Sequence, residues 1–243
     1  MSKILVIGDS CLDVYTYCKS NRLAPDKPVP VLEVLDVVET PGMAHNAFLN
    51  VKSLCQSSNI LTNDNWQKVI KNRYVELKSN HMFVRVDSSE NISAIDPSSI
   101  SFDYETIIIS DYDKGFLSEE IIEYICANHS QVFLDTKKVL GDWAKQAKFI
   151  KINNYEYERS KFFINRFIND KVIKTVGGEG CVYKGKKYPV KKKVEVLDVS
   201  GAGDTFMAAL AVNYTDTYNI ESAINFANEC ASEVVQHKGV TII

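Results

Sequence analysis

The amino-acid sequence predicts an α/β fold, a doubly wound and mostly parallel sheet that is flanked by helices and carries a small β lid. After residue 106, short apolar runs alternate with helical patterns, which is typical of parallel strands joined by helices. Two β-rich segments, at about 14–40 and 72–87, break this rhythm and are expected to pair with each other as the lid. The length of 243 residues fits one domain spanning 1–243 better than two full domains.

The first half of the chain is predicted to contain mostly strands. Residues 3–8 form a short apolar run that ends in glycine and indicates a buried first strand. Pro30 lies within the run 29–34, so this strand is expected at a sheet edge, where a missing N–H group is tolerated. The further elements predicted here are a turn at 41–42, a helix at 44–54, an irregular polar segment at 59–65, and a hairpin of strands 73–77 and 81–86.

The second half is predicted to alternate between strands and helices. Ser118 is expected to cap a helix that extends to residue 128. Two later helices begin near Ala202 and at the cap residue Asn219, and the second is expected to stop at Gly239. Lysines cluster at 184–193, which indicates a solvated hairpin that protects a sheet edge. The predicted strands are 106–110, 131–135, 148–152, 172–176 and 194–197.

The composition argues against several function classes. Lys and Arg number 28 against 31 Asp and Glu, so the net charge of −3 argues against a nucleic-acid partner bound through bulk charge. The apolar runs are far shorter than the ~20 residues that span a membrane, so no membrane partner is expected. Six cysteines are scattered without a CxxC pair, which indicates reduced thiols in a cytoplasmic protein rather than disulfides or a zinc site.

The strongest chemical signal is the segment 198–206, DVSGAGDTF. Gly201 and Gly203 allow a tight turn whose N–H groups converge at a helix N-terminus, which favours an anion. Asp204 follows in the first helical turn. A carboxylate there suits a general base that takes a proton from a hydroxyl while the anion hole holds a phosphoryl group. The alternative is a structural loop in which Asp204 only starts a helix.

Two other glycine motifs are poor fits. A dinucleotide-binding fingerprint belongs after the first strand, where 8–11 (GDSC) lacks the required glycines. The segment 180–187 approaches a P-loop, but Lys187 stands in place of the required Ser or Thr and no helix is predicted to follow. An oxidoreductase with a nicotinamide cofactor is therefore disfavoured.

Several motifs together resemble those of the ribokinase-like (PfkB) carbohydrate kinases, with DVSGAGDTF similar to their C-terminal signature. The segment 7–13 resembles their first strand, and 41–46 resembles their GGxxxN sugar-binding turn. Within the family, the sequence is most similar to the kinase domain of the bifunctional heptose 7-phosphate kinase/ADP-heptose synthases. The motifs that follow in the family's order are SDYDKG at 110–115, DTK at 135–137, NNYE at 153–156 and TVGGEG at 175–180.

The resemblance implies an enzyme that uses ATP and Mg²⁺ to phosphorylate a sugar or sugar phosphate. It makes Asp204 the general base, and Gly201, Ala202 and Gly203 the anion hole. Glu156 would hold Mg²⁺ through water. The substrate-binding residues that it implies are Asp13, Gly42, Asn46 and Arg85, although Arg85 is equally compatible with a surface ion pair to Asp87. The nucleotide-binding residues that it implies are Lys114, Lys137, Asn153, Glu156, Thr175, Gly177, Gly180 and Asn228.

The resemblance leaves the substrate and the activity open. The favoured substrate is D-glycero-D-manno-heptose 7-phosphate, phosphorylated at its anomeric hydroxyl, and the first alternative is a different sugar. Met43 replaces the second glycine of the sugar turn, and the segment 55–66 is too short for a strand and a helix found in the family. These departures support a second alternative, a degenerate protein that binds nucleotide or sugar without turnover. Some relatives also use a monovalent cation near Asp198 or form a homodimer through the lid.

Overall fold

The computed structural model of the chain describes residues 3–88 and 91–243, and residues 1–2 and 89–90 lie outside the described part. The strands of the main sheet are β1 (Ile4–Gly8), β4 (Ser58–Leu61), β7 (Thr106–Asp111), β8 (Val132–Thr136), β9 (Phe149–Asn153), β10 (Val172–Thr175), β11 (Cys181–Tyr183) and β12 (Lys186–Tyr188). Their order across the sheet is β12-β11-β10-β9-β8-β7-β1-β4. The pairs from β4 to β10 are parallel, and β11 and β12 form an antiparallel hairpin at one edge. The second strand of this hairpin lies in the lysine-rich segment 184–193. The predicted α/β class is confirmed.

Helices cover both faces of the main sheet. They are α1 (Ala44–Leu54), α2 (Glu119–Asn128), α3 (Asn154–Phe163), α4 (Ala202–Thr217) and α5 (Ile220–Val234). Alternate residues of β1 serve opposite layers, as a strand's period of two dictates. Ile4 and Val6 pack with α1, α4 and α5, whereas Leu5 and Ile7 pack with α2 and the π-helical turn Ile164–Ile168. Among the helices of the described residues, none has the length and apolar character needed to cross a membrane.

A second, four-stranded sheet forms the lid. Its strands are β2 (Ser10–Lys19), β3 (Glu33–Met43), β5 (Ile70–Glu76) and β6 (Met82–Asp87), in the order β3-β2-β5-β6. The parallel pairing of β2 with β5 joins the two β-rich segments, as the sequence predicts. Only Asp9 separates β1 from β2, so the lid grows directly out of the main sheet.

The helix boundaries agree closely with the sequence prediction where a cap residue is present. Ser118 accepts a hydrogen bond from the amide of Ile121 at 3.3 Å, and Asn219 accepts one from the amide of Ser222 at 3.1 Å. The helix predicted at 44–54 has those bounds. The last helix ends at Val234, earlier than predicted, and Gly239 lies beyond it in a left-handed conformation with φ of +73°.

Predictions for three short segments were wrong because pairing with distant strands decided them. Ser58–Leu61 is a strand although its sequence is polar, because β1 supplies its parallel partner. It is one of the elements expected to be missing after α1, while the chain from 62 to 69 holds only the short turn Trp66–Lys68. The edge strand predicted at 29–34 begins at Glu33. It continues through Pro41 and Gly42, which were predicted as a turn, since an edge strand tolerates proline.

The segment 194–197 was predicted as a strand and belongs to neither sheet. The amide of Leu197 donates to the carbonyl of Val235 at 2.8 Å, so the end of α5 holds this segment instead. The glycine turn at 201–203 therefore follows an extended loop and not a strand. This loop lies along the cleft described next.

Candidate active site

A cleft of about 1200 Å³ lies at the carboxyl ends of β9 and β10 and at the N-terminus of α4. Ligands of open α/β sheets bind outside this edge of the strands. The volume is sufficient for a nucleotide-sized ligand. Its walls include the turns at 175–180 and 201–203 and the side chains of Tyr112, Lys137, Lys151, Asn153, Asp204 and Asn228.

Asp204 lies in the first turn of α4, is 6% exposed, and is held by two donors. The hydroxyl of Tyr112 donates to its Oδ1 at 2.6 Å, and Nδ2 of Asn46 donates to its Oδ2 at 2.8 Å. Burial raises the pKa of Asp204, and the two hydrogen bonds partly oppose this rise. A carboxylate with a raised pKa is a stronger proton acceptor, which suits a general base.

A buried asparagine ladder fixes the amide of Asn46. Asn50 donates to Oδ1 of Asn46 at 3.3 Å and to its carbonyl at 2.9 Å, so the Nδ2 group of Asn46 is turned toward Asp204. Thr205, next to Asp204 in the sequence, donates to Oδ1 of Asn50 at 3.2 Å. The ladder joins α1 to α4 and keeps the carboxylate in one orientation.

The turn at 201–203 needs glycine for two reasons. Gly201 has φ of +79°, a left-handed conformation that L side chains rarely adopt, and a Cβ there would lie 2.9 Å from Nδ2 of Asn46. A Cβ on Gly203 would lie 2.9 Å from Nζ of Lys151. The amide of Ala202, which was expected in the anion hole, donates to the carbonyl of Val199 at 3.3 Å. The turn therefore offers the next amides of α4, those of Gly203 and Asp204, to an anion, with an ammonium beside them.

Two lysines line the floor of the cleft and pair with two buried carboxylates behind it. Lys151 on β9 is 4% exposed, and its Nζ lies 2.5 Å from Oδ2 of Asp135. Lys137 lies 2.5 Å from Oε1 of Glu156 and 4.0 Å from Oδ1 of Asp135. Burial would lower the pKa of Lys137, but the charges of Asp135 and Glu156 outweigh it and raise that pKa. Lys137 therefore presents positive charge to the cleft, and the side chain of Lys151 lines it too.

The NNYE motif forms a capping box at the start of α3. The side chain of Asn153 accepts the amide of Glu156 at 2.9 Å, and Oε2 of Glu156 accepts the amide of Asn153 at 2.8 Å. The other oxygen of Glu156 is bound by Lys137. Both carboxylate oxygens are thus engaged, which fits contact with Mg²⁺ through water better than direct ligation.

The wall made by β10 and its following turn is bare backbone. Gly177 has φ of +60° and no atom within 4 Å of its would-be Cβ, so this stretch is open toward the cleft. Gly180 has φ of +91° and a would-be Cβ 2.1 Å from the carbonyl of Tyr188. Thr175 ends β10, and Asn228 on α5 donates to the same carbonyl of Tyr188 at 3.0 Å. These four predicted nucleotide-binding residues line one cleft.

On the lid side, Asp13 is 6% exposed and forms a short ion pair with Arg73. A Cβ on Gly42 would lie 2.1 Å from Oδ2 of Asp13, so the carboxylate uses the space that glycine leaves. Met43 follows with φ of +60°, a strained conformation for a residue with a side chain, and its sulfur contacts Nζ of Lys71 at 2.8 Å. Asn46 connects this side to Asp204.

Two predicted site residues lie elsewhere. Arg85 on β6 is exposed and forms an ion pair with Asp87 at 2.8 Å, which matches the alternative interpretation. Arg73, opposite it on β5, is the arginine that contacts Asp13. Lys114 lines a separate hollow of about 280 Å³ beside the lid, away from the turn at 175–180.

The sequence motifs assign no role to Tyr112, Lys151 or Arg73. For Lys151 a signal existed, because a lysine in the otherwise apolar strand FIKIN is buried only at a cost in free energy unless it is paired. Tyr112 lies inside the SDYDKG motif, but its distance from Asp204 depends on the folded chain. Arg73 reaches Asp13 only through the pairing of β2 with β5.

Solved structures share this architecture. A nucleoside kinase from Methanocaldococcus jannaschii superposes with a TM-score of 0.72 at 18% identity, covering 99% of this chain and 93% of its own. The ribokinase from Thermotoga maritima gives a TM-score of 0.73 at 17% identity, covering 99% and 95%. The ribokinase from Arabidopsis thaliana, solved with ribose and ATP, gives 0.72 at 13% identity, covering 98% and 94%. The chain therefore has the ribokinase fold.

The family follows from the sequence itself. The model of the pfkB family carbohydrate kinases matches residues 69–243, which is well over half of the chain. The chain belongs to the pfkB family of carbohydrate kinases. This confirms the family that the motifs predict.

The curated relatives are bifunctional HldE proteins. The one from Blochmanniella pennsylvanica is 26% identical over 291 residues, covering 99% of this chain and 61% of its own length. The one from Vibrio atlanticus is 28% identical over 294 residues, covering 100% and 62%. The chain thus spans about three fifths of the length of these relatives.

Proposed function

We propose that the protein transfers the γ-phosphoryl group of ATP to a hydroxyl of a sugar or sugar phosphate. The observation that carries this proposal is the position of Asp204, a buried carboxylate beside a glycine turn and two cleft-lining lysines. Phosphoryl transfer needs positioning and charge stabilisation more than covalent chemistry, and this arrangement supplies both. Membership of a carbohydrate kinase family supports the sugar as acceptor.

In the proposed reaction, Asp204 takes the proton of the acceptor hydroxyl. The hydroxyl oxygen forms a bond to the γ-phosphorus, the bond between that phosphorus and the bridging oxygen breaks, and ADP leaves with the electron pair. The amides of Gly203 and Asp204 and the Nζ group of Lys151 stabilise the negative charge on the phosphoryl oxygens. The lid excludes water from the transferring group.

The cleft fits a nucleoside triphosphate, because the open backbone at Gly177 leaves room for a polyphosphate and the lysines of the floor match its negative charge. Thr175, Gly180 and Asn228 lie on the wall assigned to the nucleoside. Bound Mg²⁺ would neutralise the polyphosphate, and Glu156 would contact it through water. Among the described residues, no group of three acidic, His or Cys side chains could hold a metal alone, so phosphate and water oxygens would complete its shell.

The favoured acceptor is D-glycero-D-manno-heptose 7-phosphate at its anomeric hydroxyl, since the curated relatives are HldE proteins. Asp13, Gly42 and Asn46 would bind the sugar. Arg85, on the lid strand β6, would contact its far end when the lid closes, and Lys114, beside the lid, would neutralise phosphates of the nucleotide. Met43 narrows the turn where relatives have glycine, so another sugar is the first alternative.

The decisive experiment measures ADP release with ATP and Mg²⁺ against heptose 7-phosphate, fructose 6-phosphate, fructose, ribose and adenosine. Turnover on one acceptor that Asp204→Asn abolishes supports the proposal and gives the substrate class. ATP binding with no turnover on any acceptor supports the second candidate, a degenerate binding protein. The strained backbone of Met43 and the shortened segment after α1 favour that candidate. Repeating the assay in Na⁺ and K⁺ salts tests whether the reaction needs a monovalent cation near Asp198. Both carboxylate oxygens of Asp198 already accept hydrogen bonds from backbone amides.

We also propose a homodimer that buries the exposed edge strand β3 of the lid. The edge strand β3 carries four valine and leucine side chains that are 40–54% exposed: Val34, Leu35, Val37 and Val38. Apolar clusters of this kind are typical of an interface. Val37→Lys is expected to convert a dimer into a monomer in light scattering after gel filtration. Val139→Lys, at an exposed valine on another surface, should leave the dimer intact. A wild-type monomer at 0.1 mM would contradict the proposal.

A further inference from the structure

Tyr112 is the only side chain besides Asn46 with a recorded hydrogen bond to Asp204 in residues 3–88 and 91–243. Its hydroxyl lies 2.6 Å from Oδ1, and the amide of Asn46 lies 2.8 Å from Oδ2. One donor on each oxygen fixes both the position and the plane of the carboxylate. Burial among carboxylates raises the pKa of Tyr112 well above its usual value, so its hydroxyl stays protonated and donates.

The tyrosine is itself held rigidly. Its backbone amide donates to Oδ2 of Asp9 at 2.7 Å, and the other oxygen of Asp9 accepts the amide of Phe116 at 3.1 Å. Asp9 is fully buried between the main sheet and the lid. The loop from 112 to 116 is thus tied to the residue that joins β1 to β2.

Two ammonium groups lie near the ring of Tyr112. Nζ of Lys71, on the lid side, is 5.2 Å from the ring centroid, and Nζ of Lys137, on the cleft floor, is 5.3 Å from it. Cations near an aromatic face are attracted to it, so both contacts resist rotation of the ring. The hydroxyl therefore stays aimed at Asp204.

We infer that Tyr112 is a positioning residue for the general base, holding the carboxylate of Asp204 toward the acceptor hydroxyl and stabilising its ionised form. This inference rests on the proposed function. Asp204 can still accept a hydrogen bond from the hydroxyl of the sugar, because each carboxylate oxygen has a second lone pair. Other ionisable groups also face Tyr112 and Asp204, from the lid, from β8 and the residue after it, and from β9. Removal of the Tyr112 hydroxyl leaves all of these side chains in place: Asp13, Lys71, Asp135, Lys137 and Lys151.

The test is Tyr112→Phe, which keeps the ring and removes the donor. A hydrogen bond to a charged group lowers the pKa of a carboxylate, so its loss should move the acid limb of the kcat profile upward by about one pH unit. We expect kcat to fall about 10-fold or more at neutral pH, with KM for ATP unchanged. Tyr214→Phe, on the same helix as Asp204, is the matched control and should keep the wild-type profile. An unchanged acid limb would overturn the inference even if kcat falls.

A second measurement reads the same effect without turnover. In protein labelled with ¹³C at aspartate carboxyl groups, the resonance that disappears in Asp204→Asn belongs to the base. Its titration midpoint should lie about one pH unit higher in Tyr112→Phe than in wild type. Equal midpoints would overturn the inference. A shifted midpoint in a protein that turns over none of the sugars would support the contact with Tyr112 while contradicting the proposed kinase function.

Discussion

Asp204→Asn is expected to lower kcat by about 10³-fold while leaving the fold as stable as wild type or more so. The activity falls because the amide cannot accept the proton of the acceptor hydroxyl. The stability is kept because Asn accepts the hydrogen bond of Asn46 and because the change removes a charge from a site that is 6% exposed. The measurements are kcat at saturating substrate and thermal unfolding at two pH values.

The sign of the pH effect follows from the pKa of Asp204, which burial raises in the folded state. A carboxyl whose folded pKa is raised destabilises the fold once the pH exceeds its unfolded pKa. Wild type should therefore gain stability relative to Asp204→Asn as the pH falls through the folded pKa toward the lower unfolded pKa. Asp216→Asn, at an exposed position near the end of the same helix, should keep the wild-type kcat and the wild-type change of stability with pH. Retention of a tenth of wild-type kcat in Asp204→Asn would refute the role of Asp204 as base.

Lys151→Met is expected to lower kcat by about 10²-fold to 10³-fold, because it removes the ammonium that lies against Gly203. It should also destabilise the fold by about 3–5 kcal/mol, since Asp135 would keep a buried charge without its closest partner. The measurements are steady-state kinetics and urea unfolding. An effect on stability alone would leave Lys151 with a structural role only.

The double variant Asp135→Asn with Lys151→Met separates the two effects. It removes both charges of the buried pair, so much of the lost stability should return. The catalytic loss should remain, because the ammonium is still missing. A double variant with wild-type kcat would show that the single change acted only through the unpaired Asp135.

The parts of the fold that the sequence predicts well are those encoded locally. Ser118 and Asn219 mark helix starts, and the segment 198–206 carries both the glycine turn and Asp204 in nine consecutive residues. Such features need no knowledge of distant strands. The NNYE motif is also local, and its resemblance to the family motif predicts a functional role. The resemblance does not predict the capping box, or that Lys137 and the amide of Asn153 occupy both oxygens of Glu156.

The parts that escaped prediction depend on long-range pairing. β4 is a strand only because β1 lies beside it, and Arg73 reaches Asp13 only because β2 and β5 run parallel. The predicted strand at 194–197 has a suitable sequence, but the amide of Leu197 donates to the carbonyl of Val235 and the segment joins neither sheet. The pattern of residues indicates which segments favour a strand, and the neighbouring strands available for pairing decide which of those segments join a sheet.

The hydrogen bond between Asn46 and Asp204 joins positions 158 residues apart. During synthesis on the ribosome, the turn at 41–46 and the lid emerge long before α4 does. The carboxylate of Asp204 and the amide of Asn46 therefore meet only after α4 has left the exit tunnel. Contacts between such distant positions slow folding, so the reaction centre should be among the last regions to gain protection from hydrogen exchange during refolding. A partly synthesised chain would therefore have the lid but not the first turn of α4, which carries Asp204.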